Sequence, residues 1–453
     1  MDHHAQTSPS ETPSKGPGSK GSTSNGSPQD LERPDREVLF DRYARILVGH
    51  GAGLRRGQHV YLHTEVAHRD FALRLAETAY DMGAGHVSTW LVDPRQHAQL
   101  IRRGRLEQIE RAHAREQQWL DEIVTTRGAL ISLRGDEDPR LMRQVSEDEP
   151  ERHGIFTRSS QRKGKVFLHH GVNRSLCPWV VAAAVTPAWA RQVFPERDTQ
   201  DAVDRLWDLV FQFTHADHED AADRAAEKDR RLHARRRQLD ALRIRELRVT
   251  GGGSDLRVGL SPKARWRGGS KETAFGQTFN ANVPSEENFT TPDRRVTEGR
   301  LVATMPFRTK AGLLVKELVM HFEAGRLTHF TASEGAASFE RWIDSDDGAR
   351  YLGEFALVGQ DSPIAKSGLF FEHTLLDENA WPHVAIGQAY ATALEDGEHL
   401  SARELAELGC NTSSIHTDIM FGSPEVSVTA STAEGDVPLI ERGRWTAAFL
   451  DPS

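Results

Sequence analysis

Helical and extended patterns alternate along the chain from about residue 36. The stretch REVLFDRYARILVGHGAGL places apolar residues at helical spacing, and RRGQHVYLHTEV after it has the pattern of a turn and a short strand. A second helical pattern then ends at the glycines of DMGAGH, and a strand pattern follows over residues 87–92. This strand, helix, strand order predicts an α/β domain with a parallel sheet.

The rest of the chain divides by composition. The first residues are rich in Ser, Gly and Pro and have almost no apolar side chains, so they cannot offset the entropy of ordering. Asp198 to Arg243 is predicted to be helical, and ELRVTGGGSDLRVGL predicts two strands about a glycine turn. We therefore expect three regions: a disordered tail (1–35), an N-terminal α/β domain with a long charged helix (36–275), and a C-terminal mixed α+β domain that binds metal and carries the catalytic site (276–453).

Charge and cysteine content exclude several classes of function. The net charge of −9 over 453 residues does not suit a phosphate backbone, so we expect no nucleic-acid partner. The two cysteines, Cys177 and Cys410, are far apart and predict neither a disulfide framework nor a thiolate metal site. No run of about 18 apolar residues is present, so we expect no membrane span and a reducing, cytoplasmic location.

After residue 275, several acidic residues and histidines lie in loops and in short strand-like apolar segments. NANVPSEENFTTPDRR contains Glu286 and Glu287, and YLGEFALVG contains Glu354. In NTSSIHTDIMFGS, a strand would turn His416 and Asp418 to one face and Thr417 to the other, because side chains alternate along a strand.

The remaining stretch, LLDENAWPHVAIGQAY, sets Glu378, His383 and Tyr390 in an apolar run. If the four carboxylates of Glu286, Glu354, Glu378 and Asp418 met His383 and His416, they would repel unless positive charge balanced them. Two divalent cations would supply that charge, and the donor set suits Zn²⁺, Co²⁺ or Mn²⁺. The sequence therefore predicts a metal cage.

The blocks NVPSEENFTTP, GEFALVG, LLDENAWPHVAIGQAY and HTDIMFGS resemble the ordered motifs of the M29 metallo-aminopeptidases, the aminopeptidase T type. The resemblance implies a cytoplasmic homodimer that removes N-terminal residues from peptides, with water activated between two metal ions. The implied metal ligands are Glu286, Glu354, Glu378, His383, His416 and Asp418. The implied catalytic tyrosine is Tyr390, which is our candidate for the donor that stabilises the oxyanion.

Two details remain open beside this resemblance. Side chains of adjacent residues in an extended segment diverge, so only one of Glu286 and Glu287 should bind metal. The resemblance implies Glu286 as the ligand, with Glu287 as the candidate proton acceptor, but the residues alone leave open which of the two binds metal and which accepts a proton or hydrogen-bonds a ligand. The AWP before His383 is also bulkier than the small residues expected there, which bears on the shape of the pocket.

Three other functions compete with this hypothesis. His383, His416 and Asp418 alone form the facial triad of non-haem iron enzymes, which would make the protein a ring-cleaving dioxygenase. A dimetal hydrolase of a non-peptide amide would use the whole set, and a binding protein on an inactive scaffold would use none of it catalytically. Metal content and a turnover assay distinguish these functions.

Overall fold

The structure is a computed structural model that describes residues 35–308 and 314–450. The tail predicted over residues 1–35 therefore lies outside the described residues, except for Asp35. From Arg36 onward the chain forms one compact unit.

Helices and strands are numbered in chain order. The α-helices are α1 (Arg36–Arg45), α2 (Arg69–Asp81), α3 (Pro94–Arg103), α4 (Leu106–Glu110), α5 (Ala114–Thr126), α6 (Leu141–Asp148), α7 (Pro150–Val166), α8 (Pro187–Val193), α9 (Thr199–Thr214), α10 (Ala221–Ala241), α11 (Ala336–Ile343), α12 (Pro363–Lys366), α13 (Thr374–Asp377), α14 (Ala402–Glu407) and α15 (Ala447–Leu450). The strands are β1 (His59–Glu65), β2 (His86–Val92), β3 (Ala129–Arg134), β4 (Trp179–Ala183), β5 (Glu246–Gly251), β6 (Ser254–Leu260), β7 (Lys271–Glu272), β8 (Thr278–Phe279), β9 (Asn282–Val283), β10 (Asn288–Thr290), β11 (Pro292–Val302), β12 (Phe307–Arg308), β13 (Leu314–Val315), β14 (Val319–Glu323), β15 (Arg326–Thr331), β16 (Leu352–Leu357), β17 (His383–Gly387), β18 (His416–Met420), β19 (Ser427–Thr432), β20 (Gly435–Glu441) and β21 (Arg444–Trp445).

The first sheet has the strand order β2-β1-β3-β4-β9, and each neighbouring pair is parallel. Its first two strands are joined through α2, as the alternating pattern at the start of the chain predicts. A crossover helix is the usual connection between parallel strands, because it returns the chain to the end of the sheet at which the previous strand began. The predicted α/β class with a parallel sheet is confirmed.

Antiparallel sheets dominate the second half of the chain. An eight-stranded sheet has the order β15-β14-β11-β6-β5-β19-β20-β21, and a four-stranded sheet has the order β10-β16-β17-β18. The predicted glycine turn joins β5 to β6, with Gly251 paired to Ser254. Gly252 and Gly253 between them have φ angles of 56° and 82°, which glycine adopts without the steric cost of a side chain.

The region predicted to be helical from Asp198 to Arg243 consists of two helices rather than one. The first helix, α9, ends where His215 adopts a left-handed conformation, with φ of 62°. A residue in this conformation cannot continue a right-handed helix, and its N–H bonds instead to carbonyls of the last turn. The second helix, α10, begins at Ala221 after this break.

Two large apolar cores lie under the sheets. The first packs against the parallel sheet and also takes in Ile364, Phe371 and Leu376 from the second half of the chain. The second core packs between the antiparallel sheets and includes Phe355 and Ile419. The division of the ordered chain at residues 275 and 276 stays a prediction.

Candidate metal centre

The four-stranded antiparallel sheet turns several of the predicted site residues to one face. Glu354 of β16 pairs with Ala385 of β17, and Ala385 pairs with Asp418 of β18. Residues directly opposite each other, and residues two apart on one strand, share a face of a sheet. His383 and His416 therefore lie on the same face as Glu354 and Asp418.

Glu354 stands between the two imidazoles. Its Oε1 atom lies 3.6 Å from Nε2 of His383, and its Oε2 atom lies 3.6 Å from Nε2 of His416. Asp418 Oδ1 lies 3.3 Å from His416 Nε2. Strands β16, β17 and β18 thus bring a carboxylate pair and two imidazoles into one cluster.

Glu287 joins this cluster just before β10 begins. Its Oε2 atom lies 3.3 Å from Nε2 of His383. Ligand atoms of Glu287, Glu354 and His383 all lie within 4.8 Å of one another, which is close enough for one metal ion. The three residues are 7%, 4% and 1% exposed, so the cluster is buried.

Glu286 faces the opposite way, toward α10. Its Oε1 atom accepts from Nζ of Lys228 at 2.5 Å, and its backbone N–H donates to Oδ1 of Asn379 at 2.6 Å. The two adjacent glutamates therefore diverge, as expected for an extended segment. The residue with the imidazole neighbour is Glu287, and the residue with the lysine neighbour is Glu286.

Glu378 follows the short helix α13 and is held by an asparagine from the parallel sheet. Nδ2 of Asn282, in β9, donates to Glu378 Oε1 at 3.1 Å. The side chain of Asn379 also anchors this turn, since its Nδ2 donates to the carbonyl of Leu375 at 2.8 Å. The site thus combines a residue of the parallel sheet with residues of the four-stranded antiparallel sheet.

Burial and mutual repulsion raise the pKa values of carboxyl groups in the cluster. Burial, followed by the charges of Asp418, Glu287 and Glu354, raises the pKa of Glu378 well above its usual value. Burial also raises the pKa of Glu287, to about 7, although His383 opposes the shift. A cation among these side chains would relieve both effects, because it favours the ionised carboxylates.

The histidines are oriented as metal ligands usually are. Nδ1 of His416 donates to the carbonyl of Gln388 at 2.7 Å, and Nδ1 of His383 lies 3.3 Å from the carbonyl of Trp381. A carbonyl accepts but cannot donate, so Nδ1 carries a proton and Nε2 is the nitrogen that faces the carboxylates and is left to bind a cation. The donor set and its burial fit a divalent cation of the zinc, cobalt or manganese kind.

Tyr390 lies beside this cluster. Its ring centroid is 4.9 Å from that of His416, and its ring packs edge-on against Phe289. Burial and the surrounding carboxylates, Glu354 first, raise the pKa of its hydroxyl well above the usual value. Within the described parts of the chain this hydroxyl has no hydrogen-bond partner, so its proton is available to a bound molecule.

Three polar residues of the site were not identified from the sequence. Asn282, Asn379 and Lys228 each bond to a predicted site residue or its neighbour. Lys228 belongs to the stretch predicted from the sequence only as a long charged helix. Nothing in the sequence distinguishes Lys228 from the other cationic residues of α10. The short segments around Asn282 and Asn379 have no regular pattern that would indicate their hydrogen-bond partners.

The fold and this buried set of imidazoles and carboxylates define a metal-dependent enzyme. Comparison with known proteins gives the family: the profile described as thermophilic metalloprotease (M29) matches residues 37–445. The chain is 37% identical to aminopeptidase T of Thermus aquaticus over 90% of this chain and 98% of that protein. It is 30% identical to aminopeptidase AmpS of Bacillus subtilis, over 90% of this chain and 98% of that protein.

A solved structure is also similar. Wild-type AmpT from Thermus thermophilus matches with a TM-score of 0.82 and 34% identity, over 91% of this chain and all of that chain. The protein belongs to the M29 family of metalloproteases. The predicted family and the predicted peptide-bond hydrolase are confirmed, and peptides are its substrate class.

The competing functions gain no support from these comparisons. The similar proteins are named aminopeptidases, and none of those reported above is named a dioxygenase or an amidase of non-peptide substrates. Among the described helices, none combines the length and apolar character needed to cross a membrane.

Proposed function

We propose that this protein removes N-terminal residues from peptides with two divalent ions held by Glu287, Glu354, Glu378, His383, His416 and Asp418. The observation that carries the two-ion proposal is the position of Glu354. Its two oxygens each lie 3.6 Å from a different imidazole, so this carboxylate would hold divalent ions together with both histidines. Glu287 and His383 would complete one ion's ligands, and His416 and Asp418 would contribute to the other's.

In this proposal Glu287 replaces Glu286 as a ligand. The support is electrostatic: Glu286 already has the ammonium of Lys228 at 2.5 Å, whereas Glu287 faces an imidazole. An ion-paired carboxylate would have to give up its lysine to reach a metal ion. The sequence instead makes Glu287 the candidate proton acceptor, and that alternative assignment stays a prediction.

Bound divalent ions would activate a water molecule and polarise the scissile carbonyl. The protein's own groups would do the remaining work. The Tyr390 hydroxyl would donate to the oxygen that becomes negative as the carbonyl is attacked, since it lies next to His416 and is not bonded to any residue described. A carboxylate oxygen of the cluster that is not occupied by the ions would accept from the α-ammonium of the peptide, which favours cleavage at the free N-terminus.

Elemental analysis combined with a substrate pair tests this function. Purified protein should contain two ions of zinc, cobalt or manganese per chain and should hydrolyse leucine p-nitroanilide. The N-acetylated compound, which lacks the free amine, should not be cleaved. Dialysis against a chelator should abolish the activity, and one of these ions should restore it. Full activity in verified metal-free protein, or equal cleavage of the acetylated compound, would contradict the proposal.

The predicted homodimer and the predicted cytoplasmic location stay predictions. The described structure has a single chain, and neither prediction depends on the metal cluster. Sedimentation analysis of the purified protein would test the homodimer. Fractionation of the cells that make the protein would test the cytoplasmic location.

A further inference from the structure

Lys271 is a half-buried cation beside the metal cluster that the proposed chemistry does not use. It begins the short strand β7, and its Nζ lies 5.4 Å from the ring centroid of Trp179 and 5.5 Å from that of Phe289. Phe289 in turn packs against Tyr390. The ammonium is thus held by aromatic faces in the immediate surroundings of the site.

The backbone that leads to Lys271 is anchored at two points. Arg267 and Phe289 form an antiparallel bridge, so the segment that leads to Lys271 runs alongside the segment that carries Glu287. Next to Lys271, the hydroxyl of Ser270 donates to Asp229 of α10 at 2.7 Å. Nε2 of His233, on the same helix, lies 2.8 Å from this hydroxyl. A cation on such an anchored segment is preorganised for binding.

The charge of Lys271 is incompletely matched. Over residues 35–308 and 314–450, its ammonium has neither a hydrogen bond nor a carboxylate within ion-pair distance. Burial lowers its pKa, and the more distant charges of Glu287 and Glu354 oppose the shift. A partly desolvated ammonium without a close anion is unfavourable, so this arrangement suits a position that an anionic group of a ligand completes.

We propose that Lys271 binds the C-terminal carboxylate of short peptides whose N-terminal residue lies at the metal cluster. The inference rests on the proposed aminopeptidase function and adds a determinant of substrate specificity to it. A dipeptide has an ammonium at one end and a carboxylate at the other. The cluster around Glu287 and Glu354 attracts the first, and Lys271 beside it attracts the second.

The test compares substrates that differ only in this charge. Leu-Leu has a free carboxylate, and Leu-Leu amide is its uncharged counterpart. For Lys271→Met, we expect KM for Leu-Leu to rise by about ten- to hundredfold, the range for a lost bond to a charged group, with kcat and the kinetics of the amide little changed. Lys271→Arg should restore part of the affinity, and the exposed Lys263→Met serves as the matched control.

A binding experiment separates this inference from the proposed function. Calorimetry on the protein as purified, with a reduced-bond Leu-Leu isostere, which cannot be cleaved, and with its amide, requires no turnover. Weaker binding of the acid alone in Lys271→Met would support the inference even if the enzyme cleaved neither substrate. Equal losses for acid and amide, in calorimetry or kinetics, would overturn it and would make Lys271 a packing or charge-balancing residue.

Discussion

Lys228 and Glu286 form an ion pair, with 2.5 Å between Nζ and Oε1, and this pair lies next to the metal cluster without belonging to it. Both side chains are mostly buried, at 12% and 13% exposure. The lysine is on α10, whereas the glutamate precedes β10. The pair therefore ties the long charged helix to the segment that presents Glu287.

Exchanging each of the adjacent glutamates for glutamine should give opposite results. Glu287→Gln should lower the metal content and the rate together, because it removes an anionic ligand. Glu286→Gln should keep its metal at saturating concentration but lose about 3 kcal/mol of unfolding free energy, because Lys228 is left buried and unpaired. Metal analysis and denaturant titration of the two variants measure both effects. Loss of metal only in Glu286→Gln would reassign the ligand.

Asn282 should act on metal affinity through Glu378. Its amide donates to Glu378 Oε1, and removal of a group that orients a ligand typically costs about 10- to 100-fold in affinity. We expect Asn282→Ala to show this loss in competition with a chromophoric chelator. Asn280→Ala is the matched control, because that amide bonds to the carbonyl of His50 instead. Similar losses in both variants would indicate a general disturbance of the loop.

Strand β18 allows a test of side-chain direction. His416→Ala or Asp418→Ala should reduce the metal content, since both face Glu354 and its neighbours. Thr417 faces away, and its Oγ1 accepts from Nε1 of Trp342 at 2.8 Å. Thr417→Val should therefore keep the metal and lose about 1–3 kcal/mol of stability, the usual cost of a buried unsatisfied donor. A metal-depleted Thr417→Val protein would contradict this geometry.

Tyr390→Phe isolates the hydroxyl of the proposed oxyanion donor. We expect kcat to fall by about 10²–10³-fold with KM and metal content nearly unchanged, the scale for one such donor. The melting temperature should stay near that of the wild type, because no described residue is bonded to the hydroxyl. A variant that melts earlier but keeps most of its kcat would show a packing role.

Glu116, in the N-terminal half of the chain, should make the unfolding free energy of the protein depend on pH in the acid range. Burial alone would raise the pKa of this carboxyl, but His63 at 2.9 Å and Lys163 at 2.6 Å lower it to about 2. A carboxyl with a depressed pKa stabilises the fold above its unfolded value of about 4.5 and loses this contribution as the pH falls toward 2.

Urea unfolding at several pH values measures this contribution. The gap in unfolding free energy between wild type and Glu116→Gln should be largest above pH 5 and should shrink by about 3 kcal/mol toward pH 2. Glu122→Gln, a replacement on the same helix outside this ion pair, is the control. A gap that does not change with pH would show that Glu116 is not ionised with its partners in the folded protein.

Elements with a local residue pattern could be predicted from the amino-acid sequence. The strand, helix, strand order predicted the parallel sheet, because the periods of 2 and 3.6 residues follow from backbone geometry alone. The same period of 2 put His416 and Asp418 on one face of β18 before any partner was known. The ordered motifs also identified the family correctly, since they include the residues of the site.

The partner of each polar side chain, in contrast, depends on the folded arrangement of the whole chain. Adjacent glutamates have the same local pattern, yet Glu286 meets Lys228, 58 residues away in the chain, and Glu287 meets His383. The amide of Asn282 reaches Glu378 across 96 residues. Such pairings depend on how sheets and helices pack in space, and the energy of an ionised group depends on its burial and neighbours. Neither the packing of distant elements nor the burial of an ionised group can be read from a short segment of sequence. The partners of Glu286, Glu287 and Asn282 therefore became apparent only in the folded chain.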